Sequence, residues 1–169
     1  MLPEVVWNMP EHGTINLHAS LLPQYRGAAP INWAVINGEK ESGVSTFFLK
    51  QKIDTGNIIL QETVKIEEND TAGILHDNLM HTGAKLLAKT VQLIEDGNAG
   101  GKEQEMLFAS EDELKHAPKI FKPDCQINWK DDAQTVHNFI RGLSPYPTAW
   151  SVLVNDQGKE ISTKIFESR

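Results

Sequence analysis

A chain of 169 residues holds one ordinary domain, or one domain and part of a second. Apolar residues at 40% and charged residues at 23% are those of a soluble globular protein, and no apolar run reaches membrane-spanning length. The lone Cys125 excludes a disulfide framework and a cysteine zinc cluster, fitting a reducing cytoplasm, and the net charge of −7 excludes a globally basic nucleic-acid binder.

That charge is uneven. Residues 1–115 carry 9 basic and 17 acidic side chains, whereas residues 116–169 carry 7 and 6. A polyanion would therefore meet less repulsion at the C-terminal part. Glu4 and two prolines stand near the start, where a secretory leader would need a basic end and an unbroken apolar stretch.

Thr14–Ala19 reads as a short buried strand, followed by a loop over Ser20–Pro30 that Pro23, Gly27 and Pro30 keep irregular. Pro30 suits the first turn of a helix over Ile31–Ile36, which Asn37-Gly38 ends. Gly43–Leu49 and Asn57–Lys65 are rich in β-branched and aromatic residues, predicting strands, with Asp54-Thr55-Gly56 as a turn before the second. Asp70 or Thr71 caps a long helix with an apolar stripe of Ile74, Leu75, Leu79, Leu86, Leu87, Val91 and Ile94, closed by Asp96-Gly97. The Gly- and charge-rich run 98–116 reads as a linker with a short strand at Glu105–Ala109. Beyond it come strands at Gln126–Trp129, Trp150–Val154 and Ile161–Phe166, a helix at Ala133–Leu143 and a turn at Asn155–Gly158. That pattern is the start of a small β-barrel with too few strands to close. There is no internal repeat, G-x-G-x-x-G or P-loop.

On a strand, residues two apart share a face, so Asn16 and His18 project together while Ile15 and Leu17 face away. An amide and an imidazole side by side, met by a carboxylate from the Asp54 turn, equip a site for a tetrahedral acyl intermediate. Each residue also has a plain structural reading. His18 suits a half-buried strand histidine, and Asp54 an Asx-turn. Arg26 is a candidate clamp for a carboxylate or phosphate, and equally a surface arginine among acidic neighbours. His76 and His81, five apart on the helix, do not share a face as a metal pair would. Arg141, Tyr146 and Trp150 offer charge and stacking to a nucleic acid, but fit turn and core roles better. The Leu22-Pro23 bond, leading into a rigid loop, is a candidate cis peptide.

The run N-L-H-A-S-L-L-P-Q-Y-R-G-A-A-P-I-N-W-A-V-I-N-G, with G-V-S-T and K-I-D-T-G after it, closely resembles the formyltransferase family that uses 10-formyltetrahydrofolate. A-P-K-I-F, I-N-W and R-G-L-S-P-Y-P-T-A-W resemble the second domain of its methionyl-tRNA-modifying branch. The resemblance implies an α/β fold: the C-terminal half of a Rossmann-like formyltransferase domain over 1–97, the 98–116 linker, and an incomplete OB-like β-barrel over 117–169. It implies that Asn16, His18 and Asp54 are catalytic and that Ser20, Leu21, Leu22, Pro23 and the Asp54 turn flank the folate, with no metal. The implied co-substrate is 10-formyltetrahydrofolate and the implied acceptor the α-amine of initiator methionyl-tRNA. Rival acceptors are an amino sugar, glycinamide ribonucleotide or water; a non-catalytic folded piece is the remaining alternative.

In the family several βα units precede the N-x-H strand, whereas Asn16 here is near the start. The chain is accordingly expected to be truncated at both ends, with its parallel strand stripped of neighbours. Weak activity and self-association through the uncovered apolar surface follow as expectations.

Overall fold

The computed structural model describes residues 3–169. A one-turn helix, α1 (Glu4–Trp7), precedes β1 (Ile15–His18), which then runs into the irregular loop. Within that loop β2 (Arg26–Gly27) is a two-residue strand, and Pro30 opens α2 (Pro30–Ile36) at a position where its missing N–H costs nothing. The strands β3 (Glu41–Phe48) and β4 (Ile58–Lys65) flank the Asp54 turn, and α3 (Ala72–Glu95) follows. The Oγ of Thr71, rather than Asp70, caps α3 by accepting the Ile74 N–H at 3.2 Å.

The central sheet has the order β1-β3-β4 with both pairings antiparallel, so the expected parallel strand is instead the edge of an antiparallel sheet. Its register assigns the two faces. His18 opposes Ser45, Asn16 opposes Phe47, and Ser45 and Phe47 in turn oppose Gln61 and Ile58, so these six share the front. Leu17, Val44 and Leu60 belong to the back, against Leu75, Leu79 and Leu86 of α3. Thr46 also lies on the back, where its Oγ1 meets that of the fully buried Thr90 at 2.8 Å. Ile74, Leu87 and Val91, assigned to the apolar stripe of α3, are exposed, as is Met80. They lie outside the arc that the sheet covers.

The run 98–116 departs from expectation. Glu105–Ala109 is no strand: 3-10 turns occupy Gln104–Leu107 and Glu111–Glu113, and Lys102 bridges to Ile58. Leu107 packs on Phe47, Leu22 and Ile58 at the front of the sheet. Then β5 (His116–Ala117) pairs in parallel with β2.

The C-terminal part contains α4 (Ala133–Leu143), capped by Asp132, and the hairpin β6 (Ala149–Val154) and β7 (Glu160–Ile165). Gln126–Trp129 is reduced to a single bridge from Gln126 to Trp150. A two-stranded ribbon with one bridge is an open structure, with no closed barrel among the described residues, as the expected shortage of strands requires. Around it, Cys125, Ile127, Ile140, Leu143 and Ala149 form a second small core. α4 lies against α2, where Asn32 Nδ2 donates to Gly142 O at 2.8 Å.

Candidate active site

His18 ends β1 with its ring buried against the loop that follows. Its Nε2 lies 2.8 Å from the carbonyl oxygen of Tyr25, and because a carbonyl can only accept, that nitrogen carries a proton. Nδ1 then faces Asp54 Oδ2 at 3.8 Å, an ion-pair rather than hydrogen-bond distance. The same Oδ2 accepts the backbone N–H of Gly27 at 3.1 Å. Asp54 has φ 53, a left-handed conformation that Asp tolerates better than most residues, and it turns the carboxylate toward β1. Gly56 must be glycine at the end of this turn, since a Cβ would fall 1.5 Å from Phe48 O.

Of the residues the sequence singles out, His18 and Asp54 are brought together, and Asn16 stands two residues earlier on the same face, exposed to solvent. Ser20–Pro23 run beside them. Ser45 Oγ donates to Ser20 O at 2.6 Å and accepts Leu22 N–H at 3.0 Å, while Gln61 Nε2 donates to Leu22 O at 2.9 Å. The Leu22-Pro23 peptide is cis, as the sequence suggested. The loop is held at its far end too. Tyr25 N–H donates to Lys115 O at 2.6 Å, and its hydroxyl donates to Glu39 at 2.5 Å. Burial, reinforced by the Glu39 carboxylate, pushes the Tyr25 phenol above its ordinary range. Glu39 is itself held below the usual carboxylate range: burial opposes ionisation, but the Lys115 and Tyr25 hydrogen bonds outweigh it.

Of the other residues the sequence left open, Arg26, Arg141 and Trp150 have structural roles, whereas Tyr146 and His76 lie at the surface. Arg26 gives its Nε–H and an Nη2–H to Gln104 Oε1 at 3.0 and 2.6 Å, and stands 5.7 Å from the Phe108 ring centroid. Arg141 is buried and donates to Asp70 O, binding the C-terminal part to the cap of α3. Trp150 donates to Lys122 O, and Tyr146 is exposed. His76 pairs with Asp77 at the surface, and no cluster of three metal-ligating side chains exists among the described residues. Gln104, Ser45 and Gln61 shape the site without any sequence signal. Each is an ordinary polar residue whose partner is remote in the chain.

A cavity of about 450 Å³ opens beside the Asp54 turn, lined by Arg26, Gly27, Lys52, Ile53, Thr55 and His116 among others. It flanks the His18–Asp54 pair rather than covering it.

Residues 1–91 match the family model described as formyl transferase, and residues 119–169 match formyl transferase, C-terminal domain. The chain belongs to the formyl transferase family. A methionyl-tRNA formyltransferase of Bacteroides fragilis is 58% identical over 168 residues, covering 99% of this chain and 52% of that protein. One from Flavobacterium johnsoniae is 51% identical over 169 residues, again with 52% of its length covered. The chain thus spans about half the length of the curated relatives it matches. Among solved structures, the sugar 3N-formyl transferase WlaRD is 31% identical with a TM-score of 0.65, over 76% of this chain and 45% of that one. HypX from Aquifex aeolicus, 23% identical with a TM-score of 0.73 over 94% of this chain and 26% of its own, shares the formyl transferase fold. No helix among the described residues is long and apolar enough to cross a membrane.

Proposed function

We propose that this chain carries the reaction centre of a cytoplasmic methionyl-tRNA formyltransferase of translation initiation, moving a formyl group from 10-formyltetrahydrofolate to the α-amine of methionyl-initiator tRNA. The observation that carries the reading is the approach of Asp54 Oδ2 to His18 Nδ1 at 3.8 Å beside Asn16, in a chain so similar to enzymes of that name. The neutral amine attacks the formyl carbon, a C–N bond forms, and the carbonyl electron pair moves to oxygen. Asn16 donates an amide N–H to that oxyanion, and the protonated His18 ring, held by Tyr25 O and Asp54, supplies positive charge. Asp54 assists loss of the amine proton. Collapse of the intermediate breaks the bond to N10 of the folate, which takes up a proton, so the reaction is proton-neutral overall. Ser20–Pro23 and the Asp54 turn would flank the folate. No metal has a part.

In this proposal residues 1–97 are the C-terminal half of a Rossmann-like catalytic domain, 98–116 the passage out of it, and 117–169 the start of an OB-like domain that meets tRNA. The exposed α3 residues Met80, Leu87 and Val91 would pair with a second copy.

The test is transfer of labelled formyl to charged initiator tRNA, with amino-sugar and water controls because sugar formyl transferases share the fold. Formyl-methionyl-tRNA should be the favoured product, at a low rate. Preferential formylation of the sugar, or release of formate at the same rate without tRNA, overturns the assignment.

A further inference from the structure

We infer that Gln104 is a positioning residue that locks the Asp54 turn against His18, an inference resting on the proposed reaction centre. Its side chain is fully buried, and both polar ends of its amide are engaged. Oε1 takes two N–H groups of Arg26, at 3.0 and 2.6 Å. Nε2 gives one hydrogen to Asp54 O at 2.9 Å and the other to Gly56 O at 2.7 Å. A guanidinium only donates and a carbonyl only accepts, so the amide has one allowed orientation.

The placement of these partners matters more than their number. Asp54 and Gly56 bracket Thr55, so Gln104 holds both shoulders of the turn and with them the backbone that aims the carboxylate. Arg26 precedes Gly27, whose N–H donates to that carboxylate. One amide therefore ties the segment bearing the acid to the segment bearing its donor. Within the turn itself, Thr55 Oγ1 donating to Lys52 O at 2.9 Å is a side-chain restraint that leaves Asp54 untouched. Gln104 comes from the run between the two matched regions, so that run completes the site rather than merely spacing two parts.

Backbone exchange in the intact chain tests this without requiring turnover. Asp54→Ala removes the acceptor of the Gly27 amide and should speed its exchange about tenfold, the loss of one charge-assisted hydrogen bond. Gln104→Met, which keeps the volume but no polar group, should speed Gly27 exchange several-fold, with β3 and β4 amides unchanged. Gln104→Glu keeps an acceptor for Arg26 but has no donor for the two carbonyls, and should also loosen Gly27. The inference is overturned if Asp54→Ala moves Gly27 and neither Gln104 variant does, or if both variants raise exchange uniformly across β3 and β4. If Gln104→Met does not fold, Gln104→Glu and Arg26→Leu provide the same comparison. Failure of the catalytic reading is a separate result, because it is read in formyl transfer by Asn16 and Asp54 variants.

Discussion

Gly27→Ala concentrates on one backbone position most of what organises this site. Gly27 has φ +130, where a Cβ is strained by about 1–3 kcal/mol. The added carbon would also lie 2.3 Å from Ala117 O, too near for any side chain. That carbonyl accepts Ala28 N–H at 2.7 Å and Ala29 N–H at 3.1 Å, so pushing it away endangers two hydrogen bonds at about 1 kcal/mol each. Strain and lost bonds together predict a destabilisation of about 4 kcal/mol, with displacement of the Gly27 N–H from Asp54. Gly97→Ala is the control: its φ is +69, but nothing lies within 4 Å of the added carbon, so only the left-handed penalty of about 1 kcal/mol applies. Urea unfolding of the two variants, followed by tryptophan fluorescence, measures the difference. Equal costs would refute the reasoning, since they would mean that the β2–β5 contact yields freely and does not define the site.

Asn16→Ala should lower formyl transfer by two to three orders of magnitude, about 3 kcal/mol in the transition state, while the melting temperature stays unchanged because Asn16 is exposed. A near wild-type rate contradicts the oxyanion role. Phe47→Ala, in a fully buried position under the site, should cost about 3–5 kcal/mol by calorimetry, and a loss below 1 kcal/mol would place the front core elsewhere. Glu39 has its folded pKa depressed, so its stabilising contribution is present above the unfolded carboxylate value and is lost as pH falls through the folded one. Glu39→Gln should therefore show a shallower acid loss of stability than the parent in thermal melts between pH 6 and 3, and parallel curves would dismiss the Lys115–Glu39–Tyr25 link. Sedimentation equilibrium should detect dimers that Leu87→Glu abolishes; a monomer at every concentration removes self-association from the proposal.

Local signals in the sequence determined a good deal. Pro30 and Asn37-Gly38 bound α2, and the β-branched and aromatic run G-V-S-T-F-F marks β3, because turn chemistry and side-chain conformational preference act within a few residues. The shared face of Asn16 and His18 was legible for the same reason, and so was their family. What only the tertiary structure decided depends on partners remote in the chain. Antiparallel register sets Ser45 and Gln61 beside His18, and nothing in β1 specifies that direction. The reduction of Gln126–Trp129 from an expected strand to a single bridge with Trp150 is a matter of strand pairing, which no single segment encodes. The run 98–116, polar and rich in charge, looked like a spacer because burial of Gln104 is stabilised by groups 48 to 78 residues away. A buried amide gains its place when every donor and acceptor finds a partner, and that condition exists only in the folded chain.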